Sequence, residues 1–188
     1  MKTHSHRPFS PLSLLLCSLV CFAGSLQLQA ETSVSPISPQ EVEQAQHEWA
    51  LGIIAIGERV EQPESARARA TDLLNNLYDF SGSGVLFKPT LAADQQFRGT
   101  FTSALSYFIG DNPDFPEDKG FALNRYVDIR FENTDIQIHG TTALAMGNYY
   151  FTDVYGDTKK VEYSFAYRRD ARGGLRIVLH HSSLPYNP

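Results

Sequence analysis

Four consecutive polar side chains, His180, His181, Ser182 and Ser183, close a stretch that otherwise reads as a core strand, "LRIVLHHSSLP" from Leu175 to Pro185. An imidazole with an unperturbed pKa of about 6.5 can accept or relay a proton near neutrality, and a hydroxyl can donate to charge growing on a substrate oxygen. Successive side chains of a strand point to opposite faces. Ile177, Leu179, His181 and Ser183 are therefore expected on one face, and Arg176, Val178, His180 and Ser182 on the other. The aliphatic pair marks the first face as the inner one, which is expected to pass from packed core into a polar cavity at His181 and Ser183. His180 and Ser182 are expected to serve packing or a subunit contact. A plainer reading, in which His181 and Ser183 only satisfy backbone groups at a strand end, fits the spacing equally well. Either way both need partners, since an unpaired buried polar group costs about 1–3 kcal/mol.

Three histidines can also hold a catalytic zinc. His180 and His181 face opposite ways, however, which leaves His47 on a helix and His139 at a strand end to complete a set, and nothing in the spacing of Asp128 or Glu162 recommends them as ligands. The expectation is no metal, with zinc or manganese as the alternative. Cys17 and Cys21 both fall in the leader described next, so disulfides, thiolate sites and cysteine nucleophiles are not expected in the mature chain. The sequence contains no phosphate-binding glycine loop, nucleophile elbow or metalloprotease helix motif.

Residues 1–30 read as an export signal: Lys2 and Arg7 make a basic start, Leu12 to Ala23 is apolar but shorter than the ~20 residues a membrane span needs, and "LQA" offers a small-residue cleavage site before Glu31. Neither cysteine is placed for lipid attachment, so a released, periplasmic or secreted protein is expected, with no membrane association after the signal is removed. Residues 31–38 read as a flexible arm and 39–188 as a single domain. The chain carries a net charge of −5, and loss of the leader's two basic residues makes it more acidic, which disfavours nucleic acid or anionic membrane as partners.

These residues need elements to position them. Ser38, Pro39 and Glu41 form a helix-start signature, and Val42, Ala45, Trp49, Ile53, Ile56 and Val60 follow at helical spacing, with Trp49 as a core anchor. A second helix begins at Pro63, with Ala66, Ala70, Leu73, Leu77 and Phe80 on its apolar face and "SGSG" as its stop. "VLFKPT" is a short strand running into a turn, and Phe97, Phe101, Leu105 and Phe108 mark a third helix stopped by Gly110. The "DNPDFPEDKG" stretch is loop, long enough to cover something. From Arg125 onward the period is two, through Val127–Phe131, Ala143–Phe151 and Val161–Tyr167, with "YGD" and "DARGG" as turns. Helices followed by an antiparallel meander predict an α+β fold, a strongly bent, cone-like antiparallel sheet packed on about three helices and enclosing a pocket.

Together "VLFKPT", "ALSYF", "EDKGFAL", "MGNYYFTD" and "LRIVLHHSSLP" resemble the iota-class carbonic anhydrases, across about Val42 to Pro185. The resemblance implies the association-domain variant of the nuclear transport factor 2-like fold and interconversion of CO2 and bicarbonate without a metal. It implies substrate contacts at Thr90, Tyr107 and Ser183, and His181 joins them by strand parity as the group that accepts or relays the proton. Read without the resemblance, Tyr107 is as much core or cap as ligand and Thr90 is a turn residue; Lys88 and Arg98 are expected to be solvated cations, with electrostatic attraction of the bicarbonate anion as the alternative. The fold is also used for capture and assembly, so a non-catalytic exported binding or oligomerisation module is the alternative. A homodimer through the exposed sheet face is expected in either case.

Overall fold

The computed structural model describes residues 35–187. The expected leader and residues 31–34 of the arm lie outside them. Residues 35–38 lie against the domain: Ile37 is buried and its N–H donates to the Gly140 carbonyl at 2.9 Å.

Helix α1 (Pro39–Gly57) opens on the capping box expected from the sequence, in which the Ser38 hydroxyl accepts from the Glu41 N–H and the Glu41 carboxylate accepts from the Ser38 N–H. Arg169 grips the same carboxylate at 2.8 and 2.9 Å, tying the helix start to the far end of the sheet. The buried stripe of α1 is Val42, Ala45, Trp49, Ile53 and Ile56, so Trp49 is the core anchor its spacing predicted. Helix α2 (Pro63–Leu77) stops before the glycines because Tyr78 is already extended. Its strand-like backbone lets it bridge to Ile177 and sends its ring into the core.

The sheet comprises β1 (Leu86–Lys88), β2 (Tyr126–His139), β3 (Thr142–Asp153), β4 (Thr158–Arg169) and β5 (Leu175–Ser183), in the order β1-β5-β4-β3-β2. The four long strands form the expected antiparallel meander. The departure is β1, which adds parallel to β5 and makes the sheet mixed. Two register shifts bend β2 against β3. At the second, Gly147 lies so close to β2 that a Cβ would overlap the Glu132 carbonyl oxygen. Helix α3 (Phe101–Ile109) is capped by Thr100, so Phe97, expected to begin it, lies before the helix and is exposed. The helices cover the sheet face that carries Ala143, Ala145, Tyr149, Phe151, Tyr163 and Phe165, and the core fills the space between.

Candidate functional site

A one-residue bulge decides which face of β5 meets the helices. Leu175, Arg176 and Ile177 pair with Arg169, Arg168 and Tyr167 as a regular hairpin would have them, but then Leu179 pairs with Ala166, His180 with Phe165 and Ser182 with Tyr163. Val178 is the extra residue. A slip of one turns over every side chain beyond it, so His180 and Ser182 are buried inside, at 3% exposure each. His181 is exposed on the outer face, and Ser183 is half-buried there, donating to the Glu162 carboxylate at 2.9 Å. The expected orientation of His181 and Ser183 is corrected accordingly: simple alternation is valid only as far as Ile177.

Inside, a row of polar atoms runs through an aromatic core. Trp49 Nε1 donates to Tyr78 Oη at 2.8 Å, and Tyr78 Oη lies 2.9 Å from His180 Nδ1. His180 Nε2 lies 3.0 Å from Ser182 Oγ and 3.4 Å from Tyr149 Oη, and Tyr149 Oη donates to Ser182 Oγ at 2.5 Å. The His180 ring is walled by Phe165 at 4.1 Å and Phe87 at 4.8 Å between centroids. Burial, then the neighbouring His181, push its pKa well below the ordinary 6.5, so it is neutral near pH 7. Burial likewise pushes the Tyr149 phenol well above its usual range, opposed by hydrogen bonding with Ser182 and then Thr90.

Thr90 lines a cavity of about 750 Å³ with Phe121, Tyr126, Phe151 and Val161, opening at a polar rim that carries Asp153, Asp157, Lys159 and Lys160. Tyr107 stacks on Phe121 at 5.5 Å; its hydroxyl accepts from the Leu91 N–H at 3.4 Å, and burial pushes its pKa up, with Tyr149 the next cause. Of the four residues named from the sequence, the structure sets Thr90 in the wall of this cavity and Tyr107 behind the Phe121 ring of that wall, and leaves His181 and Ser183 on the other side of the sheet. On the helix-covered side stand His180, Ser182 and Tyr149 instead, buried in the aromatic core. Tyr149 is legible as an inward residue of the β3 alternation, but nothing in spacing distinguishes a tyrosine that only packs from one whose hydroxyl bonds a buried serine.

The zinc alternative finds no support in geometry: among the described residues no three His, Cys, Asp or Glu side chains stand close enough to hold an ion. Arg98, expected in solvent, is wholly buried and paired with Glu117 and Asp118. It is a strut rather than an anion trap. Lys88, on β1, donates to the Ser182 backbone carbonyl at 3.3 Å.

The family model for metal-independent carbonic anhydrase matches residues 40–184. A metal-independent carbonic anhydrase of Nostoc sp. (strain PCC 7120) is 36% identical, covering 95% of this chain and 98% of its own. The crystal structure of the iota-carbonic anhydrase from a cyanobacterium, complexed with bicarbonate, is 40% identical and superimposes with a TM-score of 0.79, covering 81% of this chain and 95% of that one.

Proposed function

Because the chain belongs to the metal-independent carbonic anhydrase family, we propose that its pocket interconverts CO2 and bicarbonate with Thr90, Tyr107 and Ser182 as the substrate-facing hydroxyls. The observation that carries the residue assignment is that Thr90 lines the cavity while Ser182, bonded to the Tyr149 hydroxyl, is the last strand's serine on the helix-covered side of the sheet. Zinc carbonic anhydrases, a different class, lower the pKa of bound water to about 7. Here the charge is met by hydroxyl donors instead. The water oxygen bonds to the CO2 carbon, one carbonyl π pair moves onto oxygen, where the hydroxyls donate, and the proton leaves through the open rim to solvent. His180 touches Ser182 and is neutral, which makes it a support for that hydroxyl.

The test is stopped-flow CO2 hydration on chelator-treated protein. Full activity after chelation is expected. Activity restored only by added zinc or manganese would overturn the metal-free reading, and no activity in either state would favour the binding module.

The outer face supports a homodimer. One cross-strand row there reads Leu144, Ala166, Leu179 and Leu86, an apolar stripe over four strands, with Leu86 73% and Leu144 44% exposed. A stripe of this kind can pair with its own copy about a twofold axis. Light scattering is expected to give twice the chain mass for the wild type and the chain mass for Leu144→Glu; a monomeric wild type would refute the pairing. Export to the periplasm or medium is the accompanying proposal. It is supported by the basic start and apolar run of residues 1–30 and is checked by fractionating cells that express the full chain.

A further inference from the structure

We propose that Trp49 fixes the direction of the whole buried row, so that Ser182 is held as a committed hydrogen-bond donor to the substrate; this rests on the reading of Ser182 given above. An indole N–H donates and never accepts, so the bond from Trp49 to Tyr78 Oη runs one way. Tyr78 has one hydrogen, and the only other polar atom bonded to its hydroxyl among the described residues is His180 Nδ1. If Nδ1 carried the imidazole proton, Tyr78 would accept twice and bury its own hydrogen without an acceptor, at about 1–3 kcal/mol. Nδ1 therefore accepts, and the proton sits on Nε2.

From there the direction propagates. Nε2–H donates to Ser182 Oγ, and so does the Tyr149 hydroxyl. With two donors on its oxygen, the Ser182 hydrogen has no protein acceptor among the described residues and is free for a substrate oxygen. Each donor in such a chain polarises the next, so the last hydroxyl meets growing negative charge more strongly than a serine alone would. The same direction places the one accepting nitrogen of His180 against Tyr78, away from the cavity, where it cannot take the proton of the attacking water. Trp49, Tyr78 and His180 are positioning residues, two or more bonds removed from the reacting atoms in the case of Trp49 and Tyr78.

The experiment is NMR of protein labelled with ¹⁵N-histidine at neutral pH, with His180 assigned by the signals lost in His180→Gln. A protonated, pyrrole-type Nε2 and a pyridine-type Nδ1 are expected. The opposite tautomer overturns the proposal, and because this readout does not use activity, it does so without touching the substrate assignment, which stands or falls with Ser182→Ala. Tyr78→Phe keeps the ring and removes the donor: the His180 signals are expected to shift toward a mixture of tautomers. The kcat is expected to fall about tenfold, the order of one hydrogen bond's net worth, with KM changing less. An unchanged kcat beside a changed tautomer also overturns the proposal. Should Tyr78→Phe not fold, the wild-type spectrum decides alone.

Discussion

Ser182→Ala lowers the rate of CO2 hydration by about 10²–10³, the usual loss for one donor aimed at developing charge, while Ser183→Ala leaves the rate near that of the wild type. The two serines are neighbours of identical chemistry, and only the bulge at Val178 separates them into an inner and an outer residue. Ser182 Oγ bonds to Tyr149 and His180 in the core, whereas Ser183 bonds to Glu162 on the far face. Removing the inner hydroxyl also leaves two buried groups short of an acceptor, at about 1–3 kcal/mol. The assay is therefore run with a urea midpoint beside it, so that loss of rate is read on folded protein. A rate lost in Ser183→Ala and kept in Ser182→Ala would reverse the assignment and reinstate simple alternation along β5.

The comparison of these two residues shows what patterns in a chain can and cannot specify. Ser38, Pro39 and Glu41 announce α1 because capping is local, and the structure contains their bonds as expected. The inward face of β3 and β4 is equally readable, since every second residue from Ala143 to Phe151 and from Val161 to Tyr167 is apolar. The last strand obeys the same rule up to Ile177, and hairpin counting from Arg169 and Leu175 gives the correct pairs to that point. Beyond it the register depends on one inserted valine, which carries no glycine or proline to mark it. Cross-strand packing decides: the slip sets His180 opposite Phe165 and Ser182 opposite Tyr163. Arg98 departs from its expected exposure for a related reason. A cation read alone is solvated, and only the return of the chain at Glu117 and Asp118 reveals a buried pair.

Arg98→Met destabilises the protein by about 3–5 kcal/mol, the range for removing one partner of a buried ion pair, measured as a lower urea midpoint at unchanged m. The guanidinium donates to the Gln95 carbonyl at 2.7 Å, to Asp118 at 2.9 and 3.0 Å and to Glu117 at 2.9 Å. Asp118, left behind at 2% exposure, would still accept from Ser106 at 2.6 Å. Arg98→Lys restores little, since a single ammonium cannot reproduce the planar fork. Glu117 meanwhile accepts from the N–H groups of Ala93, Asp94 and Gln95. Those bonds, the Asp94 one first and the Arg98 charge last among the lowering causes, hold its pKa at about 2 against an ordinary 4.5. Its stabilisation is complete above 4.5 and is lost as the pH falls toward 2, so Arg98→Met keeps that acid-sensitive window and Glu117→Gln loses it. The clamp joins the segment that follows Thr90 to the 111–120 loop and, through Ser106, to the helix turn that carries Tyr107. Rate should therefore fall with stability in Arg98→Met. A variant as stable as the wild type would mean that the two loops are not locked together, leaving the 111–120 segment free to act as a cover over the pocket rather than as its buttress.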